Sequence, residues 1–164
     1  MAKPVVGEIQ PAVVAQQSEA FEEFERLYQQ AEKLSQQGKY SEAIPLLERA
    51  LVIVENAVGS EHPAAALLIN FLGLQHKYQG KYTEALPLYQ RSLAILEKAL
   101  GADHPDVTTN LHNLAGLYQD QGKYTEVLPL LQRSLAILEK ALGADHPHVA
   151  TSLSNLALLY RKQG

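Results

Sequence analysis

Cysteine and tryptophan are both absent from these 164 residues, and methionine occurs once. Without cysteine there is no disulfide framework and no thiolate metal site. Basic charge is also scarce: the formal net charge is −4, which does not suit a nucleic-acid partner. No apolar run approaches the roughly 20 residues of a membrane span. The start, MAKPVVGEIQPAVVAQQ, has no continuous apolar h-region, so no secretory signal is expected and a cytoplasmic location is the default. There is no nucleophile elbow, no glycine-rich phosphate loop and no zinc-binding helix motif. A non-catalytic chain without cofactor or metal is therefore expected. The charge that is present is uneven: residues 1–61 hold 10 acids and 5 bases, residues 62–164 hold 8 and 9.

What the chain does have is repetition. Gly-Lys-Tyr falls at 38–40, 80–82 and 122–124, and Gly38, Gly80, Gly122 and Gly164 stand 42 residues apart. Pro45, Pro87 and Pro129 keep that step, as do His62, His104 and His146. Residues 80–121 and 122–163 agree at 33 of 42 positions. A fixed period of this length signals stacked supersecondary units.

Each unit reads as two helices. Tyr82, Ala85, Leu86, Tyr89, Leu93, Leu96 and Leu100 recur at steps of three and four. Thr83 is the expected N-cap of that helix, with Pro87 near its start and Gly101 as its stop. Val107, Leu111, Leu114, Ala115 and Tyr118 form one face of the next helix, closed by Gly122.

Between them lies ALGADHP, at 99–105 and again at 141–147, with the weaker copy AVGSEHP at 57–63. Asp and His suggest a metal site or a catalytic dyad, but equivalent histidines of stacked units stand at least one helix spacing apart, about 8–10 Å. They cannot converge on one ion. The string reads instead as a joint: a glycine stop, a short loop, then Asp or His capping a helix that proline begins.

These residues resemble the tetratricopeptide repeat. Ile69, Leu72, Gly73, Ala85 and Tyr89 fill its pattern in one unit. Leu111, Leu114, Ala115 and Tyr118 do so in the next, with Val127 and Leu131 on its second helix. The 42-residue step, the Asp-His-Pro joint and Asn-Leu-Ala-x-Leu-Tyr make it similar to the kinesin light chain type, over roughly residues 24–164. The resemblance implies an all-α, right-handed superhelical solenoid of antiparallel helix pairs: three pairs plus a final unpaired helix. Units are expected at about 21–59, 63–101, 105–143 and, as a half, 147–164, after a flexible tail at 1–11. The first unit departs from the pattern, with Gln30 and Ala31 for Leu-Ala and Leu34 for Tyr.

In such arrays the first helix of each pair, helix A, lines a concave face that binds peptides. The resemblance and the helical offset from the buried set place Thr109, His112, Asn113, Gly116, Gln119 and Asp120 in that groove. Neighbouring units add Asn70, Leu74 and Lys77, then Thr151, Ser154, Asn155, Leu158, Arg161 and Lys162. Asn113 and Asn155 occupy the place where relatives contact a peptide, and an amide both donates to and accepts from its backbone. Lys77, Arg161 and Lys162 are candidates for a carboxylate. Of the nine differences between the two near-identical units, seven lie on helix A, four of them in this groove set. A protein or peptide partner is therefore expected.

Val149, Leu153, Leu156, Ala157 and Tyr160 on the last helix form a face whose second side nothing in the sequence covers. A fragment of a longer protein, exchange of the last helix between copies, and a self-capping end all fit. A self-associating scaffold and a docking segment of a larger protein stand as the alternatives to a groove reader.

Overall fold

The computed structural model describes residues 11–163. Among them the chain forms seven α-helices and no strand. They are α1 (Pro11–Gln36), α2 (Tyr40–Val58), α3 (Pro63–Tyr78), α4 (Tyr82–Leu100), α5 (Val107–Asp120), α6 (Tyr124–Leu142) and α7 (Pro147–Gln163). The expected tail lies outside the described residues, save for Pro11, which already begins α1. Each helix packs chiefly on its neighbours in sequence, and α3 also touches α5. The A helices are α1, α3, α5 and α7; the B helices are α2, α4 and α6.

Two kinds of glycine turn shape each unit. At the A-to-B turn Gly80 has φ +71°, its N–H donates to the Lys77 carbonyl, and the Lys81 N–H donates to the His76 carbonyl at 2.9 Å. This paired closure satisfies the last carbonyls of the helix and needs the left-handed backbone that glycine adopts freely. The helix therefore begins at Tyr82, with Lys81 before it and no side-chain cap. Thr83 is not the cap: its hydroxyl donates to the Glu84 carboxylate at 2.7 Å instead. Pro87 consequently sits inside α4, past its first turn. At each B-to-A joint the histidine, not the acid before it, accepts from the N–H two residues on; His62 is thereby the N-cap of α3, whereas the N-cap position of α5 is Asp106, with no side-chain bond. His62 Nδ1 accepts from the Ala64 N–H at 3.1 Å, and His104 and His146 accept from Asp106 and His148 at 3.2 Å. Proline opens α3 and α7, but α5 starts two residues late, at Val107. The reason is Thr108, where the other joints have alanine. Its hydroxyl and its N–H both donate to the Pro105 carbonyl, tightening the first turn.

The core is one continuous stack. Leu27 and Ala31 of α1, Ala43, Leu47 and Ala50 of α2, and Leu68 and Leu72 of α3 are buried together. Ala65, Ala66, Ile69, Ile95, Leu96, Leu111 and Ile137 continue it. The tightest approach is at Gly73, where a Cβ would lie 2.8 Å from the Tyr89 ring. One period earlier the same places hold Ala31 and Leu47; one later, Ala115 and Leu131. Glycine faces tyrosine, and alanine faces leucine, so the paired volume is roughly kept. Tyr118, expected in the buried set, is only half-buried, between α4 and α6.

Polar groups enter the core at defined points. Asn110 is 1% exposed and donates to Ser92, whose hydroxyl donates to the Ala66 carbonyl. This relay ties α5, α4 and α3 together. Gln75 is fully buried, and its Oε1 has no partner among the described residues. The next two units carry Leu117 and Leu159 at that place.

Gly73→Ala is expected to destabilise by about 1–3 kcal/mol through overpacking against Tyr89. Tyr89→Leu in the same chain should recover most of it, read as urea-unfolding midpoints in a double-mutant cycle. Loss of the same size in both backgrounds would mean the two side chains are uncoupled. Gln75→Leu removes an unpaired buried acceptor and should stabilise by roughly 1–3 kcal/mol; a lower midpoint than the parent's would contradict that account.

Candidate functional site

The concave face is built from the outward positions of α3, α5 and α7, laid side by side by the repeat. Two direct links cross it between α3 and α5. Asn113 Nδ2 donates to Asn70 Oδ1 at 3.1 Å. Lys77 Nζ lies 3.4 Å from Asp120 Oδ2. Gly116 makes room for this lysine, since a Cβ there would stand 3.0 Å from Nζ. Lys77 is therefore half-buried and ion-paired, not the free cation expected for a carboxylate ligand.

Between α5 and α7 the face opens into a recess of about 330 Å³. His112, Gly116, Gln119, Asn155, Leu158 and Lys162 line its walls, and Leu131 of α6 closes its base. At the equivalent place one unit earlier the buried Tyr89 stands where Leu131 does, and the ion-paired Lys77 where Gln119 does. Leu131 is shorter than Tyr89 and so leaves more room at the base of the recess than a phenol ring would. Leu131 was not among the groove residues read from the sequence. The difference Tyr89/Leu131 signals it, but only packing turns that difference into an opening.

The remaining candidates divide. Ser154 is exposed, and its hydroxyl donates to the Ala150 carbonyl in its own helix. Thr109 and Arg161 are exposed and lie outside the recess. Of the helix-A differences, Thr108 and Asn110 turn out to be buried, so they alter packing and not the face.

Among the described residues, His112 is the groove candidate whose side chain is bonded to a buried side chain of a B helix. Its Nε2 stands 2.9 Å from the hydroxyl of Ser134, which is fully buried on α6. Partial burial of the ring lowers its pKa from the ordinary 6.5. Burial likewise raises the Tyr89 phenol far above its usual range, so it stays protonated. Among the described residues no group of three acids or histidines could hold a metal ion.

The tetratricopeptide repeat family model matches residues 23–98, 64–140 and 106–164. The chain belongs to the tetratricopeptide repeat family. Its units are of the kinesin light chain-like type. A crystal structure of Podosopora anserina kinesin light chain nearly identical TPR-like repeats is 31% identical, with TM-score 0.74, covering 85% of this chain and 66% of that one. BtubC (BKLC) from P. vanneervenii is similar in fold at 20% identity and TM-score 0.73, covering 92% and 65%. The chain thus spans just under two thirds of the length of these two structures. The Yersinia enterocolitica type III secretion chaperone SycD, solved with a peptide of the translocator YopD, shares the fold at 19% identity and TM-score 0.60, covering 85% and 94%. A search of curated proteins finds no match.

The folded chain favours neutral His112, so the unfolded chain takes up that proton first as pH falls through 6.5. Stability is present above that pH and is lost below it. His112→Asn should make the fall in urea midpoint below pH 6.5 shallower than the parent's, and an unchanged slope would remove His112 from the acid response.

Proposed function

We propose that the chain recognises extended protein or peptide segments along its concave face and has no catalysis of its own. One observation carries the reading: the recess between α5 and α7 opens onto the amides of Gln119 and Asn155 and the imidazole of His112. An apolar base with a few polar groups at its rim is how a groove accepts a ligand side chain while hydrogen-bonding its backbone. Asn70 and Asn113 continue the same polar row across α3 and α5. Arg161 and Lys162 add positive charge at the α7 end, and they replace Lys77 as the candidates for a ligand carboxylate. The peptide bound by the SycD chaperone, a protein of the same fold, supports a peptide as the partner. A cytoplasmic setting fits this role; among the described residues no helix is long and apolar enough to cross a membrane.

A peptide-library selection tests the proposal, run on the parent and on a variant carrying His112→Ala, Asn113→Ala and Asn155→Ala. The parent should enrich a shared motif, and the variant should bind the selected peptide at least about tenfold more weakly while keeping its helical circular dichroism. Equal binding by a folded variant would move recognition off this face.

A further inference from the structure

The A helices lie side by side along the concave face, and each position recurs 42 residues on. On α3 four concave positions are apolar: Leu67, Phe71, Leu74 and Tyr78. Their spacing of four, three and four makes one stripe, about 16 Å long at 1.5 Å per residue. Leu67 is 62% and Tyr78 52% exposed, with Phe71 and Leu74 half-buried between them. α5 carries Thr109, Asn113, Gly116 and Asp120 at the same places, so the repeat itself does not require the stripe. An exposed apolar patch of this kind marks a place where something binds.

Aromatic contacts brace it. The Phe71 ring meets the Tyr28 ring of α1 edge-on, with centroids 5.9 Å apart, and Phe24 stacks on Tyr28. The Tyr78 ring lies 5.0 Å from that of Tyr40, at the start of α2. Rings already held by other rings lose little freedom when a partner settles on them.

Beside the apolar stripe runs an acidic one. On α1 the places of Leu67 and Leu74 are taken by Glu25 and Glu32, about 10 Å apart along the helix. Both are exposed, and neither forms an ion pair among the described residues. Burial raises the Tyr28 pKa and the charge of Glu32 raises it further, which sets that carboxylate near the ring that faces Phe71. Arg26 and Lys33 lie roughly 100° further round α1, on the side away from α3. Lys77 is taken up by Asp120, and Lys39 and Lys81 stand at the glycine turns, beyond the Tyr78 end. The result is a valley between α1 and α3, with Tyr28 and Phe71 as its floor, one apolar wall and one acidic wall.

We propose that this valley docks an amphipathic helix of a partner protein, one whose apolar stripe is flanked by lysine or arginine. Apolar side chains at i, i+4, i+7 and i+11 of that helix lie along Leu67 to Tyr78, and its basic flank reaches Glu25 and Glu32. A helix about 10 Å across suits a valley between axes about 8–10 Å apart. An extended strand does not present both sets of groups, because its side chains alternate between opposite faces. Charge argues against a second copy of this chain. A two-fold contact over the valley would set Glu25 and Glu32 against their own counterparts or against the other copy's apolar stripe, removing water from carboxylates without pairing them. The recess between α5 and α7 is a separate place, so the valley adds a second binding element, of different chemistry, to the same face.

The probe is a synthetic amphipathic peptide of about 16 residues with a leucine stripe flanked by lysines, together with a twin in which glutamate replaces each lysine. In fluorescence anisotropy with the whole chain, the lysine peptide should bind with a dissociation constant on the order of 10 µM, and its twin at least about tenfold more weakly. Leu67→Gln, at an exposed position, should weaken the lysine peptide about fivefold with helicity unchanged. Glu25→Lys combined with Glu32→Lys should reverse the preference in favour of the glutamate twin, which a merely damaged surface would not do. A proline at the centre of the lysine peptide should abolish binding, because it breaks the helix. None of the substituted positions lines the recess, so the result is read apart from that of the peptide selection. Absence of binding, equal binding of the two peptides, or indifference to Leu67→Gln overturns the proposal. So does undiminished binding of the proline peptide, which would assign the valley to an extended segment. A dimer of the parent chain that Leu67→Gln dissolves would assign it to a second copy and overturn it as well.

Discussion

The close approach of each A helix to the B helix that follows it is the constraint on which the array depends. It is tightest at Gly73, and the equivalent places in the neighbouring units hold Ala31 and Ala115, both buried. The facing residue answers in volume. Leucine meets alanine, and tyrosine meets glycine, with a gap at Gly73 too small for a methyl group. Because the units stack, any change in this spacing is passed to the next pair. The groove geometry on one face and the core on the other are both set by it.

The same place shows how packing in the core shapes the exposed face. Tyr89 fills the space between neighbouring A helices, and its phenol is buried. At Leu131 the same space is open to the concave face. A change that one would class as core variation therefore lies at the base of a recess on the face that the A helices line. Gly116 works the other way: the missing side chain lets Lys77 lie down toward Asp120, closing the face between α3 and α5.

Near-identical units raise a problem of pairing, since α4 and α6 present almost the same surface. The buried polar groups distinguish them. Ser92 accepts from Asn110 and donates to the Ala66 carbonyl; its counterpart Ser134 is instead bonded to His112. A helix placed one period out of register would leave these groups unpaired in the core, at a cost of about 1–3 kcal/mol each. Tyr89 adds a steric test, because it tolerates glycine opposite it and not alanine. Differences that look like drift along the sequence thus mark each helix for its own neighbour.

Much of this was legible in the chain of letters. The 42-residue period, the apolar steps of three and four, and the glycines at each helix end state the helix pairs and their turns, because these depend on contacts within a few residues. The Asp-His-Pro string is legible as a joint for the same reason, although which side chain bonds the following backbone is not: aspartate and histidine are both competent, and the histidine Nδ1 makes the bond. What only the tertiary structure decided lies between units. The pairing of Lys77 with Asp120, the burial of Asn110 and the opening beneath Leu131 join residues from different helices. Each depends on the distance and angle between packed helices, which no local pattern encodes.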